Sequence, residues 1–264
     1  MIRGKGRIAL LTAGLKPENF ERAAERVLKN SLTLYDFDAR LNLRVEALEA
    51  YCPKTFQKYK TFLNPTVKGF GFWAWKPEFI YRVAIGQFGQ FDQVVWIDSG
   101  CEINVNIISK QIFAKRIEIT ENTGYWLHAL NSSDKQYSKK NVISQFPKLG
   151  ESQLRSPQIQ ANYLHLSTQK ALPMIEEWFT KSIENISNID LNSDLNQDES
   201  FIEHRSDQSL LSLIMKNNNV SYSRINLPSG RSVKSSFRGI FQPVWISRNR
   251  DGKSIIPKLI SRIP

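Results

Sequence analysis

The spacing of apolar residues along the chain predicts alternating strands and helices. Residues 7–12 form a short apolar run typical of a buried strand, and Lys16-Pro17 stands at the start of a helix, because proline suits the first helical position. The apolar residues that follow recur every three or four positions and define one helical face, made of Phe20, Ala23, Ala24, Val27 and Leu28. A strand, a loop and a helix in this order begin a Rossmann-like α/β unit.

The strongest strand signal lies at residues 93–97, an apolar and β-branched stretch between Asp92 and Asp98. Residues 33–68 indicate only a short helix, which ends at Pro53. The other predicted elements are strands at 124–129 and 161–166, helices at 77–85, 171–179 and from Ser206, and a polar surface loop at 183–199. The chain contains no internal repeat and no long segment of low complexity.

The composition supports one folded domain. The 264 residues are 41% hydrophobic and 11% aromatic, which favours a packed core and excludes a disordered chain. With only two cysteines the chain is not a disulfide scaffold, and it suits a reducing compartment. No apolar run has the roughly 20 residues that a membrane-spanning helix needs. We therefore expect a cytoplasmic protein.

Positive charge is concentrated at the C-terminal end. The chain carries 36 lysines and arginines against 25 acids, a net charge of +11, and nine of the basic residues lie beyond position 220 with Asp251 as the one acid among them. A field of this sign attracts phosphates, whether of a nucleotide, a nucleic acid or an anionic membrane, and peripheral contact of the basic tail with the inner membrane is one of these expectations. The same charges also suit a tail that is merely solvated.

The predicted strand at 93–97 is followed by the sequence DSGCE. The strand delivers an acid to its carboxyl end, where open α/β sheets bind their ligands. If the chain stays extended, Asp98, Gly100 and Glu102 lie on one side, and this leaves room for a divalent cation and a diphosphate. The same residues also suit a simple turn, in which Asp98 caps the backbone beside Ser99.

A second candidate segment, GFGFWAWKP at residues 69–77, is rich in glycine and aromatic residues. Trp73 and Trp75 offer flat faces for a sugar or a base, and Lys76 lies at a helix start, where an anion is favoured. Packing in the core explains some of these aromatics equally well. We expect Phe72 and Trp73 to be core residues, and Trp75 and Lys76 to be functional.

A third segment, HRSDQS at residues 204–209, places an acid and an amide in the first turn of a predicted helix. Asp207 also suits a purely structural role, since an acid at a helix N-terminus is worth about 0.3–1 kcal/mol. His128 and His165 fall within predicted strands and are expected in the core. The sequence has no Walker loop, no nucleophile elbow and no zinc motif.

Taken together and in this order, the three segments resemble a family of bacterial GT-A type glycosyltransferase-like proteins. The family pattern is G-x-G-x-W-x-W-K-P, then a strand ending in D-x-G-C, then H-x-x-D-Q-S before a helix. The matches here lie at residues 69–77, 96–102 and 204–209, and Gln158 with Ala161 gives an intermediate match.

This resemblance implies an α/β fold of the GT-A type, a single domain with a Rossmann-like mixed sheet flanked by helices. It divides a catalytic domain at 1–240 into a nucleotide-binding half at about 1–105 and an acceptor half at about 106–240, followed by the basic C-terminal tail at 241–264. The implied activity is transfer of a sugar from a nucleotide-sugar donor to a glycan or lipid-linked acceptor, in surface polysaccharide synthesis.

The resemblance also implies roles for individual residues. Asp98 is expected to hold Mn²⁺ or Mg²⁺ against the donor diphosphate, with Glu102 in place of the second acid of a D-x-D motif, because position 100 is glycine. His204 is expected as a further metal or phosphate contact, and Asp207 with Gln208 as the catalytic pair. The implied substrate-binding residues are Thr12, Ala13, Trp75, Lys76 and Gln158.

Two other classes of function remain open from the sequence. A calculated pI of about 9.6 and 11% aromatics suit a nucleic-acid-binding protein, but no RNA-recognition, KH or helix-turn-helix signature is present, so no nucleic acid is expected as partner. A carbohydrate-binding relative without catalytic activity is the other alternative, because the second aspartate of D-x-D is missing.

Overall fold

The computed structural model describes residues 6–192, 196–224 and 241–248. Its strands, in chain order, are β1 Ile8–Ala13, β2 Ala39–Leu43, β3 Gln93–Ile97, β4 Glu102–Ile103, β5 Tyr125–Trp126, β6 Ala129–Ser133, β7 Pro157–Ile159, β8 Tyr163–Ser167 and β9 Val244–Trp245.

The helices are α1 Glu18–Leu34, α2 Leu48–Tyr51, α3 Pro53–Tyr59, α4 Gly69–Phe72, α5 Trp75–Ala84, α6 Ile107–Thr123, α7 Asp134–Tyr137, α8 Lys140–Ile143, α9 Glu151–Arg155, α10 Leu172–Glu184 and α11 Ser206–Asn217. Short 3₁₀ helices lie at Val45–Ala47 and Ile186–Asn188. Among the described residues, no helix has both the length and the apolar composition that crossing a membrane requires.

A five-stranded mixed sheet forms the centre of the fold, with the strand order β2-β1-β3-β8-β5. Strands β2, β1 and β3 are parallel, β8 is antiparallel to β3, and β5 is antiparallel to β8. The predicted α/β class, with a mixed sheet flanked by helices, is thereby confirmed. Two-stranded ladders join β4 to β9 and β6 to β7.

Helices cover both faces of the central sheet. Successive residues of a strand point to opposite faces, so Ala9 and Leu11 of β1 pack into the core that α5, α10 and α11 complete. Ile8 and Leu10 pack into a second core with α1 and α6. Burial on both sides explains why β1 and β3 read as continuous apolar runs rather than as alternating ones.

The parallel pairing of β1 and β3 brings their carboxyl ends to one edge of the sheet. Leu11 of β1 lies beside Trp96 of β3, so the end of β1 at Ala13 and the residue that follows β3, Asp98, lie at the same edge. This edge is where α/β sheets of this kind bind ligands.

Several elements were not predicted, β2 and α6 among them. Strand β2 lies at the edge of the sheet with four of its five residues partly exposed, so its apolar signal is weak. Helix α6 buries Phe113 and Ile117 together with the polar Ser109, Arg116 and Thr120, and these interrupt the apolar periodicity.

The two histidines expected in the core are there. His128 and His165 are fully buried, and burial lowers the pKa of His128 to about 3 and that of His165 well below its usual value. Both imidazoles are therefore neutral at physiological pH.

The segment at 241–248 lies within the fold, although the sequence assigned it to a tail. Its strand β9 pairs with β4, and the Asn104 amide donates to the Pro243 carbonyl at 2.8 Å. The rest of the predicted tail, 249–264, lies outside the described residues.

Arg26 of α1 supports the loop that follows β3. Its Nη2 donates to the carbonyls of Ser99 and Cys101, each at 3.0 Å, and its side chain is buried. We expect Arg26→Met to lower the free energy of unfolding by about 3 kcal/mol, because two buried carbonyls lose their donor. Urea denaturation at pH 7 measures the change.

Arg22→Met is the matched control in the same helix. Arg22 is exposed and pairs only at the surface with Glu18, at 3.7 Å, so its loss should change stability by less than about 0.5 kcal/mol. Equal effects of the two substitutions would show that Arg26 does not support the loop.

Candidate active site

Strand β3 delivers Asp98 to the carboxyl edge of the sheet. The indole Nε1 of Trp96 donates to Asp98 Oδ1 at 2.6 Å, and the Asp98 amide donates to the Asn162 carbonyl at 2.9 Å. The chain then turns, because the Cys101 amide donates back to the Asp98 carbonyl. The side chain of Asp98 stays 31% exposed, so one carboxylate at this edge is fixed and still accessible.

A buried lysine joins Asp98 to a second carboxylate. The Nζ of Lys76, in the first turn of α5, lies 3.1 Å from Asp98 Oδ1 and 2.8 Å from Asp207 Oδ2. Burial by itself lowers the pKa of Lys76, but the charges of Asp207 and Asp98 outweigh burial and raise it above the ordinary value. The ammonium is therefore charged at any physiological pH. We call these three residues the Lys76 cluster.

Asp207 enters the Lys76 cluster from the first turn of α11. Burial raises the pKa of its carboxyl to about 6, even though the nearby Lys76 ammonium opposes the rise. The Trp178 indole Nε1 donates to the Asp207 carbonyl at 2.9 Å and so fixes the backbone of this turn. Asp207 thus has a pKa close to neutrality, the range in which a carboxylate works best as a general base.

The entry to α5 is a left-handed turn. Five successive residues, 69–73, have φ between 53° and 94°, which places α4 in the left-handed region. Only glycine adopts this region without strain, so Gly69 and Gly71 make the turn possible. The Trp75 indole closes the turn by donating to the Gly69 carbonyl at 3.0 Å. Lys76 lies three positions after the turn, in the first turn of α5, so the turn determines the direction of its side chain.

The structure reverses the expected roles of the tryptophans in this segment. Trp75 is 5% exposed and packs against Trp96 with ring centroids 6.1 Å apart, so no face of it is open to a sugar. Phe72 and Trp73, expected in the core, are only partly buried at its margin. The left-handed turn inverts the side-chain directions that a regular helix would give.

Beside the Lys76 cluster, two amide side chains form a polar wall. Gln208 Nε2 donates to Gln158 Oε1 at 2.8 Å, and the Ala161 amide donates to Gln208 Oε1 at 3.4 Å. Arg205 donates to the same Gln158 oxygen at 3.3 Å and to Ser132 Oγ at 2.9 Å. Gln158 and Gln208 are therefore brought together next to Asp207, as members of one hydrogen-bond network.

A polar cavity adjoins this wall through Ser132. Its volume is about 240 Å³, and its lining consists of hydroxyl, amide and basic side chains with one proline, namely Asn131, Ser132, Ser133, Lys135, Gln136, Arg155, Pro157 and Ser200. The hydrogen bonds through Gln158 and Arg205 connect the cavity to the first turn of α11.

Thr12 and Ala13 end β1 at the same sheet edge as Asp98. Both are buried, at 0% and 6% exposure, and the Thr12 hydroxyl oxygen has no hydrogen-bond partner among the described residues. Thr12 is therefore closed to a ligand, and Ala13 offers only a small surface at the strand end.

The three predicted metal ligands do not converge. Both ring nitrogens of the buried His204 are engaged, because Nδ1 accepts from the Lys139 amide at 3.3 Å and Nε2 donates to the Asn188 carbonyl at 2.9 Å. Glu102 is fully buried in β4, where its backbone pairs with Trp245. In the described part of the chain, no three His, Cys, Asp or Glu side chains are grouped to hold a metal ion. The residues present do not fit the expected Mn²⁺ or Mg²⁺ site.

Two arginines near the Lys76 cluster escaped prediction as single residues. Arg205 lies within the HRSDQS motif, in which Asp207 and Gln208 were the predicted catalytic pair. Its guanidinium lies 3.4 Å from the centre of the Tyr137 ring. Arg248 belongs to the basic tail, where an arginine was expected to help neutralise the leaving group, but the sequence does not distinguish one tail arginine from another. The sequence offers no signal that the C-terminal segment returns to the loop after β3.

Comparison with known proteins gives a likeness in fold alone. No protein-family model matches the chain, and no curated protein matches it. Among solved structures, mouse xyloside xylosyltransferase 1 in its apo form is 13% identical, over 91% of this chain and 97% of that one, with a TM-score of 0.47.

Two further solved structures are similar at comparably low sequence identity and TM-score. The galactosyltransferase LgtC, in complex with donor and acceptor sugar analogs, is 10% identical over 94% of this chain and 85% of that one, with a TM-score of 0.44. The apo form of the glycosyltransferase GlyE from Streptococcus pneumoniae TIGR4 is 13% identical over 83% of this chain, which spans 46% of GlyE, with a TM-score of 0.42.

The raised pKa of Asp207 makes stability depend on pH. Between its ordinary value of 3.8 and about 6, the native state binds the proton more tightly than the unfolded chain, so the contribution of Asp207 to stability falls as pH rises. In Asp207→Asn this loss is absent. We expect the unfolding free energy of the variant to gain on the order of 2 kcal/mol relative to wild type between pH 4 and pH 6.5, measured by urea denaturation.

Asp198→Asn is the control for this pH dependence. Asp198 is an exposed acid whose pKa its hydrogen bonds with Ser200 lower to about 2, so it is largely ionised in the folded and unfolded states over most of this pH range. Its difference from wild type should stay flat. A flat difference for Asp207→Asn as well would contradict the raised pKa.

Proposed function

We propose that this chain is a glycosyltransferase that moves a sugar from a nucleotide-sugar donor to a glycan or lipid-linked acceptor. The observation that carries the proposal is the Lys76 cluster, a buried lysine that holds two carboxylates at the ligand-binding edge of an α/β sheet. The Asp98 side chain stays 31% exposed at this edge, as a group that contacts a substrate must be. The sequence resemblance to GT-A type enzymes supports the same conclusion.

Asp207 is the group we propose as the base. In the transfer step, the acceptor hydroxyl oxygen attacks the anomeric carbon and gives its proton to Asp207, whose side chain keeps 6% of its surface exposed for this contact. The bond from that carbon to the diphosphate oxygen breaks, and its electron pair leaves with the nucleoside diphosphate. A carboxyl with a pKa of about 6 is ionised at pH 7 and still basic enough to take this proton.

Asp98 and Lys76 have different parts in this proposal. Asp98, the more exposed carboxylate, faces the donor sugar and stabilises the positive charge that develops on it. Lys76 is almost fully buried, at 2% exposure, so it acts as a positioning residue that keeps both carboxylates in place. No step is assigned to a metal ion, because the predicted ligands do not fit one.

The two sides of the cluster suit the two substrates. The ends of β1 and β3, with Ala13, are the proposed nucleoside side. The wall of Gln158 and Gln208 and the adjoining polar cavity are the proposed acceptor side, because amide and hydroxyl groups hydrogen-bond to sugar hydroxyls. A nucleotide-binding half and an acceptor half of one domain would meet at Asp98.

The test is turnover of a panel of nucleotide sugars, followed as release of the nucleoside diphosphate with and without oligosaccharide acceptors. We expect Asp207→Asn to reduce kcat about 10²- to 10⁴-fold, the contribution of a general base, and Asp98→Asn to reduce it as well. Circular dichroism checks that the variants are folded.

Asp190→Asn is the matched control. Asp190 is likewise buried and paired with a lysine, Lys139, and it accepts from Asn192 Nδ2 at 3.2 Å, but it contacts none of the groups assigned to the reaction. The variant should lose stability and keep kcat. Wild-type protein that turns over no nucleotide sugar, or equal kcat in all three variants, would refute the proposed function.

Removing the lysine tests its positioning role. Because the Lys76 charge lowers the pKa of Asp207 against burial, Lys76→Met should raise that pKa beyond about 6 and move the acid limb of the pH profile of kcat/KM to higher pH. Loss of one partner of a buried pair also costs about 3–5 kcal/mol, so the assay is run well below the melting temperature. Lys76→Arg keeps the charge and should restore the limb, whereas an unmoved limb in Lys76→Met would argue against the coupling.

A further inference from the structure

The C-terminal segment 241–248 is fastened to the fold along its length. At one end, Ser109 Oγ donates to the Phe241 carbonyl at 2.8 Å, and Arg116 of α6 donates to the side-chain oxygen of Gln242. Arg116 itself is buried and lies 3.8 Å from the centre of the Trp126 ring. These contacts fix the start of the segment on the body of the domain.

The β4–β9 ladder then directs the segment toward the loop that follows β3. Glu102 pairs with Trp245, and Ile103 pairs with Val244. Beyond the ladder, Ser247 Oγ donates to the Gly100 carbonyl at 3.2 Å. The chain therefore passes along the turn that starts at Asp98.

Arg248 lies where this path meets the turn. A Cβ placed on Gly100 would meet the Arg248 Cα at 3.8 Å, so the arginine backbone packs on the glycine two positions beyond Asp98. Its side chain is exposed, and it forms no ion pair with any of the described residues. Its backbone has φ of 54°, a strained conformation for a residue other than glycine, and such strain is concentrated at functional sites.

A second arginine lies close by. The guanidinium of Arg205 donates to Gln158 Oε1 at 3.3 Å, in the polar wall beside Asp207. Burial lowers the pKa of Arg205, and the charge of Arg248 lowers it further. Arg205 is held in place by the Tyr137 ring and by Ser132, and it lies 3.7 Å from Glu203. Arg205 adds positive charge to this side of the cluster, and Arg248, which is exposed beside the turn that follows Asp98, is placed to bind an anion.

We propose that Arg248, supported by Arg205, binds the diphosphate of the donor and neutralises it as the leaving group. This inference rests on the proposed function and assigns to arginine the task that a metal ion was expected to perform. A guanidinium offers two parallel N–H groups that match a phosphate, and it stays charged at every physiological pH. The charge that develops on the diphosphate when the sugar–oxygen bond breaks is then stabilised by the C-terminal segment.

The experiment measures binding to the full-length chain by isothermal titration calorimetry in EDTA, at low salt. The probes are inorganic pyrophosphate, the diphosphates of adenosine, guanosine, uridine and cytidine, and the four nucleosides without phosphate. We expect Arg248→Ala to bind pyrophosphate and the recognised nucleoside diphosphate at least about 10-fold more weakly, and to bind the matching nucleoside as wild type does. Arg248→Lys should be intermediate, because lysine keeps the charge without the fork.

Lys115→Ala is the control for charge alone. Lys115 is exposed on α6 and pairs with Glu118 at 2.6 Å. Lys115→Ala removes one positive charge, as Arg248→Ala does, but at another place, so it should leave every affinity unchanged. A loss in Lys115→Ala equal to that in Arg248→Ala would mean that net charge alone attracts the anion, and this would overturn the inference.

The remaining outcomes separate the inference from the proposed function. Equal affinity of wild type and Arg248→Ala for pyrophosphate overturns the inference, and so does wild-type binding that appears only after Mn²⁺ is added. If pyrophosphate binds through Arg248 while no nucleoside diphosphate binds more tightly than pyrophosphate, the arginine site stands and the nucleotide-sugar function fails. If a nucleoside diphosphate binds equally well without Arg248, the function stands and the inference fails.

Discussion

The arrangement at the sheet edge depends on one ammonium group between two carboxylates. Asp98 and Asp207 reach the same point from a strand and from a helix that are more than 100 positions apart in the sequence, and without Lys76 their charges would repel each other in a poorly solvated place. The lysine removes that repulsion, but three charges leave a net of −1, so the cluster itself cannot attract a diphosphate. The positive charge that attracts a diphosphate must therefore come from residues outside the cluster, such as Arg248.

One turn and two tryptophan hydrogen bonds fix the positions of Lys76, Asp98 and Asp207. The left-handed turn at 69–73 sets the start of α5, Trp96 holds the Asp98 carboxylate, and Trp178 holds the backbone of Asp207. Each is an aromatic or glycine-dependent contact rather than a flexible surface interaction. A site built in this way is organised before any substrate arrives, and this reduces the reorganisation that binding and reaction require.

Much of this could be predicted from the sequence, and the reason for each failure is physical. Apolar runs such as β1 and β3 and the order of the three motifs indicated an α/β sheet with Asp98, Lys76 and Asp207 as candidates, and the structure brings those three together. The burial of Trp73 and Trp75 was predicted the wrong way round, because a left-handed turn breaks the side-chain periodicity on which the prediction relies. His204 and Glu102 matched metal-ligand chemistry by residue type, but only tertiary contacts reveal that one is engaged at both nitrogens and the other is buried in a ladder.

The left-handed turn also limits how this sequence can vary. A side chain at Gly69 would begin with a Cβ 2.2 Å from the Trp73 ring, and the Trp75 indole needs the carbonyl of that same glycine. Position 69 therefore accepts no side chain while the Trp73 ring keeps its place. Any larger residue there would have to move that ring or the turn itself, and the start of α5 with Lys76 would move with the turn.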